Sequence, residues 1–331
     1  MKARSSVLVA LLLAAVFASS ALSQEGGAAL NRAEVFVFGS ARQGEGMIKR
    51  VEALESVLFG RPLPGSVVER EKQLERFVFE GVGDAPPMIF KLGVLEWAVL
   101  GRVKVGVPAA TRLEEVERVL EGKAQPQSPL AARLERLISL ALPEEMTWRR
   151  SVPVPRGTLV KVRILDTVSS SGSRVGDEFS LELVEDLMVD GNLVAPKGSV
   201  VRGRVAEAKR AKGFGQHGSL KLEFEGIHGL LDQVIPIFMG KSAVDKNRAE
   251  RDLMAALGTS FVGLIALGPI GAVGGLFVRG QEIKIPSGTE FYLEVKEDVV
   301  VAGYPAPRVL LDKGVPQPAE GAVDSNPQSG K

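Results

Sequence analysis

The sequence predicts a two-part α+β protein, in which a short helical repeat array precedes a β-barrel or β-sandwich that carries an apolar, glycine-rich helical insertion. Three observations predict this fold. Glycines recur about every 21 residues in the first half, polar and apolar residues alternate in the second half, and 26 uncharged residues interrupt that alternation late in the chain. With 331 residues and 45% hydrophobic content, the chain is long and apolar enough for two cores.

The charge balance and the cysteine count exclude several classes of partner and site. Forty-one basic residues against 40 acidic ones leave a net charge of +1, so no overall field favours nucleic acid, and we expect no nucleic-acid partner. The sequence contains no cysteine, which excludes disulfides, thiolate nucleophiles, cysteine-ligated zinc and a lipid-modified cysteine. Packing without covalent cross-links must therefore stabilise the fold.

Residues 1–23 have the pattern of a secretory signal peptide. Lys2 and Arg4 provide positive charge, Val7–Ala18 provides an apolar core of twelve residues, and small residues precede a cleavage site after Ser23. The alternative is an uncleaved membrane anchor, but a helix of this apolar length spans only about 18 Å of a hydrocarbon core about 30 Å thick. The sequence therefore predicts an exported protein of the periplasm or the outer membrane.

Residues 30–143 contain six copies of one helical pattern. Each copy places apolar residues three and four positions apart, as in Leu113, Val116 and Leu120, with glutamate and arginine opposite them. Five copies close on a glycine, which ends a helix because it adopts the left-handed conformation without steric cost. These glycines are Gly39, Gly60, Gly81, Gly101 and Gly122. The period predicts short helices that stack on their neighbours; the alternative is an irregular helical domain whose repeats have decayed.

A stack of helices offers an extended face, and we expect this face to bind an envelope protein or the cell wall. The ending Leu58-Phe59-Gly60 resembles the short Leu-Phe-Gly helical repeat of some uncharacterised exported bacterial proteins. That resemblance implies no activity.

Residues 152–303 change to an alternation of period two, which predicts half-buried strands. The five clearest runs are 158–165, 178–184, 199–205, 219–225 and 290–295. Three strands follow the same proline–glycine turn, at 155–158, 196–199 and 286–289, where proline sets the first torsion and glycine supplies the positive one. Short strands of this number close as a barrel or a sandwich.

The order of the motifs in this half resembles the C-terminal β-barrel of the TrbI-like family. The motifs that carry the resemblance are Pro155-Arg156-Gly157-Thr158, Gly176-Asp177-Glu178-Phe179, Val189-Asp190-Gly191 and Pro196-Lys197-Gly198-Ser199. This family contains outer-membrane core subunits of conjugation and type IV secretion machines. The resemblance implies that an apolar helical segment interrupts the barrel and reaches the outer membrane, and that a last strand follows, as at 286–298. Where the family has a cytoplasmic start and an inner-membrane helix, this chain has a signal peptide and helical repeats.

The segment from Leu253 to Val278 carries no charge, and its 26 residues exceed the roughly 20 that a membrane helix needs. A spanning helix, a helical hairpin that folds back at Gly268-Pro269, and a hairpin buried against the barrel are the three interpretations. The membrane-contact candidates are Leu253, Leu257, Phe261, Leu264, Ile265, Leu267, Ile270, Leu276 and Phe277. The close-packing candidates are Gly258, Gly263, Gly271 and Gly275, whose small size lets helices approach, so a homo-oligomer is a further expectation.

Few residues indicate catalysis. The glycines of 213–218 match a dinucleotide fingerprint but lie between strands, so we expect a hairpin loop there. His217 and His228 have no acidic partner at metal-ligand spacing, and the serines of 169–173 lack a nucleophile elbow. A cluster of acidic residues fits glycan hydrolysis or calcium binding on composition, but capping of turns is the commoner role. These residues are Asp166, Asp177, Glu185, Asp186 and Asp190.

The sequence thus predicts a non-enzymatic structural or assembly protein of the bacterial envelope, associated with the outer membrane and similar to a secretion- or conjugation-core component. We expect no catalytic residue, no cofactor and no metal. The alternative is a soluble periplasmic binding module in which the apolar segment is buried. Residues 304–331 are rich in proline and are predicted to form a disordered tail.

Overall fold

The structure, a computed structural model, describes residues 27–83, 85–143, 147–211, 218–256, 275–280, 283–307 and 310, with the backbone alone for 251–256 and 275–280. Within these ranges helices come first and strands follow, so the predicted α+β architecture is confirmed. The helices of the first part, hereafter the array, are α1 (27–38), α2 (Met47–Phe59), α3 (Val67–Glu75), α4 (Met88–Leu100), α5 (Ala109–Glu121) and α6 (Leu130–Ala141). A π-helical turn, Arg76–Glu80, extends α3.

The helices end where the repeat pattern places its glycines. The φ angles of Gly39, Gly60, Gly81, Gly101 and Gly122 are 86°, 70°, 89°, 67° and 76°, all on the side of the map that glycine alone enters freely. At the other end, Ser66 begins α3 through a capping box with Glu69. A proline stands immediately before each of α4, α5 and α6.

The apolar stripes of the helices form the core of the array. Leu54, Leu58, Leu113 and Val116 are fully buried, as the helical spacing predicts, but Leu120 of the same predicted stripe is 37% exposed, so the prediction is wrong at the end of α5. Helix α6 packs against α2, α4 and α5, so helices that are distant in sequence meet. The close approach of α2 and α6 requires glycine, because a Cβ atom on Gly60 would lie 2.9 Å from Cγ of the proline before α6.

The second part contains fourteen strands among the described residues. They are β1 (Arg150–Val154), β2 (Leu159–Ile164), β3 (Val168–Ser169), β4 (Glu178–Leu183), β5 (Leu187–Val189), β6 (Asn192–Ala195), β7 (Val200–Lys209), β8 (Gly218–His228), β9 (Val234–Ile235), β10 (Ile237–Phe238), β11 (Gly275–Gly280), β12 (Lys284–Ile285), β13 (Glu290–Val295) and β14 (Val299–Pro305). Helix α7 (Lys241–Ala256) lies between β10 and β11. The five alternating runs correspond to β2, β4, β7, β8 and β13.

The strands form one large curved sheet and two small ones, all with antiparallel pairs. The large sheet has the order β10-β13-β2-β4-β7-β8-β11, with β9 paired to β8. Because β10 at one edge also contacts β8, this sheet is nearly closed and resembles a barrel. A four-stranded sheet, β1-β14-β6-β5, lies next to the array, and β12 pairs with β3. Alternate strand positions such as Val162, Leu181 and Leu293 fill the barrel core.

The two ends of the predicted apolar insertion have different conformations. Leu253 lies in α7, whereas Gly275, Leu276 and Phe277 lie in β11, where Leu276 is opposite Leu222 of β8. The expectation of a helix through Val278 is therefore wrong for its last four residues. The physical reason is that an uncharged run fits a sheet edge as well as a helix, and periodicity does not distinguish the two.

Several sequence-based predictions fall on residues outside the described ranges. These are the signal peptide, the glycine-rich loop at 213–217, the tail from 311 onward, and the insertion candidates Leu257, Gly258, Phe261, Gly263, Leu264, Ile265, Leu267, Ile270 and Gly271. Membrane contact and close packing by the insertion therefore stay predictions. The disordered tail was predicted to begin at 304, which is wrong for Tyr304 and Pro305, because they end strand β14. Among the residues that the structure describes, no helix has both the length and the apolar character needed to span a bilayer.

Candidate functional site

Four ion pairs join neighbouring helices of the array. In each, an arginine in the first turn of a helix donates to a glutamate near the end of an adjacent helix. The pairs are Glu34–Arg50, Glu55–Arg70, Glu96–Arg112 and Glu117–Arg133, hereafter the ion-pair ladder. The geometry is bidentate: Nε and Nη2 of Arg133 each lie 2.8 Å from a carboxylate oxygen of Glu117. The ladder therefore repeats with the helices.

The ladder corrects the prediction that glutamate and arginine lie opposite the buried stripe. Glu117 and Arg133 are both buried, and Glu117 also accepts the backbone N–H of Gln125 at 2.9 Å. Burial alone raises the pKa of Glu117, but the hydrogen bonds from Arg133 and Gln125 outweigh it and hold this pKa below its ordinary value. The carboxylate is thus ionised and fully paired, which makes its burial tolerable.

The ladder is interrupted between α3 and α4. The corresponding positions hold Glu75 and Lys91, but Lys91 Nζ lies 2.6 Å from Oε1 of Glu135 on α6 instead. Within the described part of the chain, no ion pair links α3 to α4. Nearby on α3, Glu71 is buried, and its Oε1 has no hydrogen-bond partner among the described residues. Burial and the charge of Glu75 raise the pKa of Glu71.

The last two helices of the array expose apolar side chains at positions that are covered in earlier copies. Val119 on α5 and Leu140 on α6 are each 58% exposed. The same repeat position holds Phe36 on α1 and Phe77 after α3, both half-buried against the core. Together with the adjacent exposed Leu120, Val119 and Leu140 form what we call the terminal apolar patch.

The array contacts the β part at the turn between β6 and β7, hereafter the joint. The N–H of Val103 donates to the carbonyl of Lys197 at 2.8 Å, and Nε1 of Trp97 donates to Oδ2 of Asp186 at 2.7 Å. Oδ1 of Asp186 accepts the N–H of Lys197. Gly198, with φ 85°, is needed here, because a Cβ atom would lie 2.3 Å from the carbonyl oxygen of Val103.

Aromatic side chains continue the array core into the four-stranded sheet. Tyr304 of β14 is fully buried, with ring centroids 6.1 Å from Trp97 and 6.5 Å from Trp148. Leu193 and Leu230 of the β part belong to the same apolar cluster. Burial raises the pKa of Tyr304 to about 12, so its hydroxyl stays protonated at neutral pH. The core of the array therefore includes residues of the β part.

A cleft of about 390 Å³ lies between α1, the α4–α5 connection and the β8–β9 turn. Its walls are mainly apolar and comprise Val35, Phe36, Phe79, Ile89, Val103, Val105, Val107 and Leu230. Its polar lining residues are Asn31, Arg32, Arg112, Ser199, Arg202, His228 and Asp232. An apolar cavity of this size with a few convergent polar groups is typical of a ligand site.

The polar end of the cleft is organised around Asp232. This residue sits in the β8–β9 turn with φ 60°, an uncommon angle for a residue other than glycine. Its Oδ1 lies 2.6 Å from Nδ1 of His228, and its Oδ2 lies 3.8 Å from Nη2 of Arg32. The hydrogen bond with His228 lowers the pKa of Asp232 despite burial, and the charges of Arg32 and Arg202 add to the effect. Asp232 is therefore ionised at neutral pH.

His228 thus has an acidic partner, contrary to the sequence-based expectation. The partner is Asp232, four residues later in the turn. A single carboxylate does not make a metal site, and among the described residues no three side chains of ligand type cluster. Ser199 lines the same cleft, yet no hydrogen bond joins it to His228 in the described part of the chain. A catalytic serine lies within hydrogen-bond reach of its base.

The predicted acidic cluster is dispersed over turns. Asp166 accepts the N–H of Ser180 at 2.8 Å, and Asp177 accepts the N–H of Arg174 at 2.8 Å. Asp186 belongs to the joint, and Asp190 adopts φ 48° in the turn between β5 and β6. Asp177 thus stabilises its own turn, as the simpler interpretation of the sequence predicts, while Asp166 and Asp186 bind backbone N–H groups of other segments.

The serine-rich segment forms a turn of its own. Ser173 Oγ accepts the N–H of Ser169 at 3.0 Å, and Ser169 Oγ accepts the N–H of Gly172 at 2.9 Å. Both hydroxyls therefore serve the backbone.

Comparison with known proteins identified no matching family model and no matching curated protein. Among solved structures, ComB10 of the Com type IV secretion system of Helicobacter pylori is similar over 48% of this chain and 93% of its own length. The sequence identity is 13% and the TM-score is 0.24. The functional argument below therefore depends on the contacts of this chain and on its sequence motifs.

Sequence reasoning missed both the ladder and the cleft. The ladder has a signal that pattern analysis detects: glutamate and arginine recur 15 or 16 residues apart in step with the helical period. The cleft has no such signal, because its lining comes from segments separated by more than 100 residues, such as Phe36 and His228.

Proposed function

We propose that this protein is a non-enzymatic structural or assembly component of the bacterial cell envelope, of the kind found in secretion or conjugation cores. The terminal apolar patch carries the proposal. The last copy of a helical array needs a polar outer face if the array is to stay soluble alone. Here Val119 and Leu140 are exposed instead. We infer that an envelope protein covers them.

The joint supports a structural role for the pair of parts. Trp97 and Val103 of the array bind Asp186 and Lys197 of the β part, and the core around Tyr304 is shared. A partner bound to the array would therefore be held in a defined position relative to the sheet. A protein that positions one component against another needs this kind of rigid connection.

Envelope location is proposed from the sequence. Residues 1–23 have the pattern of an export signal, and 152–303 carry the motif order of the TrbI-like family. A non-catalytic role is supported by the use of Asp166 and Asp177 as acceptors for backbone N–H groups, which leaves them unsuited to act as a hydrolytic pair.

A soluble periplasmic binding module is the second candidate function, and the cleft is the observation that favours it. In this case the array and the β part would together form a receptor for a small ligand. The two candidates differ in where the protein resides and in its assembly state, so one fractionation experiment separates them.

The experiment expresses the full chain with a C-terminal tag in the source bacterium and follows it through cell fractionation and native electrophoresis. We expect the protein in the envelope fraction, in a complex heavier than the 35.3 kDa monomer. Substituting both Val119→Glu and Leu140→Glu should release monomer, because two carboxylates would then have to be desolvated in the interface.

The matched control is Val175→Glu, the same replacement of valine by glutamate at a position of the β part that is 69% exposed. It should leave the complex intact. Wild-type protein that migrates as a monomer in the soluble periplasmic fraction would favour the binding module. Protein that stays in the cytoplasm would overturn both candidates.

A further inference from the structure

The cleft carries a charge arrangement that none of the proposed assembly roles uses. Arg32, Arg202 and His228 surround the single carboxylate of Asp232. Arg112 at the inner wall is already paired with Glu96. The polar end of the cleft therefore has two guanidinium groups, those of Arg32 and Arg202, against one carboxylate.

Arg202 is the group that supplies this excess. It lies on the exposed side of β7, and within the described part of the chain it forms no ion pair shorter than 4 Å. Arg32 reaches Asp232 only at 3.8 Å, while its guanidinium stacks 4.5 Å from the ring centroid of Phe79. Both guanidinium groups thus retain N–H donors for an incoming anion.

The turn that bears Asp232 is well ordered by its own hydrogen bonds. The N–H of Asp232 donates to the carbonyl of Gly229 at 3.0 Å, and the N–H of Gly229 donates to the carbonyl of Gln233 at 2.9 Å. Oε1 of Gln233 accepts the N–H of Ala302 at 2.7 Å, which ties the turn to β14. The Asp232 carboxylate, around which Arg32, Arg202 and His228 lie, is therefore held in place by the fold.

The remainder of the cleft is apolar and is shaped by a glycine. Gly93 of α4 faces Leu230, and a Cβ atom at this glycine would lie 3.1 Å from Cδ2 of the leucine. Val35, Phe36 and Val105 complete the wall. A ligand that fills this space needs an apolar body next to its charged group.

We propose that the cleft binds a small anionic amphiphile: an aliphatic chain with one carboxylate or phosphate head, its chain against Val105 and Phe36 and its head between Arg32 and Arg202. The cavity of about 390 Å³ suits a small molecule. A stable contact with a folded protein would need a far larger surface, of at least about 1,200 Å² in total. The proposal does not depend on the partner inferred for the terminal apolar patch.

The test is calorimetric titration of the purified full chain with sodium dodecanoate below its micelle concentration. We expect saturable binding of one molecule per chain. Dodecanol, which has the same chain without charge, should bind at least about tenfold more weakly, because charge-assisted hydrogen bonds to the head are lost. Acetate, which has the head without the chain, should not bind measurably. Equal binding of dodecanol would overturn the anionic part of the proposal.

Two arginines of β7 provide a matched pair of variants. Arg202→Ala should weaken dodecanoate binding about tenfold or more. Arg204→Ala should leave it unchanged, because Arg204 does not line the cleft and is already paired with Glu223 at 3.0 Å. Equal losses in both variants would show nonspecific charge attraction and overturn the site.

A second variant tests the apolar wall. Val105→Asp places a carboxylate at the mouth of the cleft, where Val105 is 47% exposed, and should abolish binding while the circular dichroism spectrum is unchanged. Dodecyl phosphate extends the test to the other head group: tighter binding than dodecanoate would support the amphiphile and identify phosphate as the head. The absence of saturable binding by either amphiphile would overturn the proposal.

Discussion

At the scale of single residues, buried charge in the array is tolerated because it is paired. Glu117 shows this most clearly, since it accepts hydrogen bonds from Arg133, Arg136 and the backbone of Gln125. A carboxylate with this many donors gains from ionisation more than it loses by leaving water. The array therefore depends on each member of a pair being present.

The first prediction removes one member of a ladder pair. Glu117→Gln leaves Arg133 buried without a counter-charge and should lower the free energy of unfolding by about 3–5 kcal/mol. Arg118→Ala is the control, because Arg118 is 57% exposed and its pair with Glu114 lies within one helix. It should cost less than about 1 kcal/mol. Urea unfolding followed by circular dichroism measures both, and equal midpoints would contradict the burial of charge in the ladder.

Glu71 should show the opposite effect. Its pKa is raised in the folded protein, so folding favours the protonated form. Its contribution to stability is thus complete below the ordinary value near 4.5 and is lost as the pH rises through the folded value. Glu71→Gln should stabilise the protein by about 1 kcal/mol at pH 7 and have little effect at pH 4. Urea titrations at the two pH values measure this, and an equal effect at both would show that Glu71 is not the group responsible.

The sequence predicted single residues well where one side chain decides the conformation. Gly60 and Gly122 end their helices because no other residue enters that region freely. The sequence did not predict the burial of Glu117 and Arg133, because a charged residue opposite an apolar stripe is normally solvated. These two side chains are buried only because a second helix lies close enough to pair them. The sequence pattern of one helix does not show where a second helix packs against it.

At the scale of elements, one turn is used three times with different neighbours. Gly157, Gly198 and Gly288 occupy the same position of the proline–glycine turn, with φ of 81°, 85° and 88°. A Cβ atom at Gly157 or Gly288 would meet nothing within 4 Å, whereas at Gly198 it would meet the backbone of Val103. Gly157 and Gly288 are therefore controls for a substitution at Gly198, because they have a similar φ angle but no contact with Val103.

Two alanine variants, at Gly288 and at Gly198, separate backbone strain from the contact at the joint. Gly288→Ala should cost about 1–2 kcal/mol through backbone strain alone. Gly198→Ala should cost clearly more, because it carries the same strain and also displaces Val103 from its hydrogen bond with Lys197. Amide hydrogen exchange at Val103 should accelerate only in Gly198→Ala. Equal costs with unchanged exchange at Val103 would contradict the close contact at the joint.

Element types were predicted more reliably than their extents. Strands β2, β4 and β13 match the alternating runs closely, because one face of each is buried in the barrel. Residues 275–278 of β11 were predicted as helix, since these uncharged residues show no clear periodicity. The decisive influence there is the free edge of β8, which is a property of the sheet.

At the scale of the whole molecule, the array and the β part should unfold together. Tyr304 and Leu193 belong to the β part yet are buried in the array core, next to Trp97. The array core is therefore incomplete without the β part. Calorimetry should therefore show one transition for the wild type, and Tyr304→Ala should split it into two while lowering the first. Two transitions in the wild type would contradict the shared core.

The relation between the two parts was the least predictable feature. The sequence indicates an array and a barrel-like sheet, but the joint depends on Trp97 meeting Asp186, 89 residues later. Nothing in the local pattern of either residue specifies the other. The cleft is lined by residues of both parts, so the sequence could not predict it either.

The interrupted ladder has a mechanical consequence. If the two ends of the array were pulled apart, each ladder pair would resist the separation of two successive helices. Among the described helices of the array, only the successive helices α3 and α4 are not joined by such a pair. These two helices should therefore separate first, near Gly81, and the helices joined by ion pairs should separate only at a higher force.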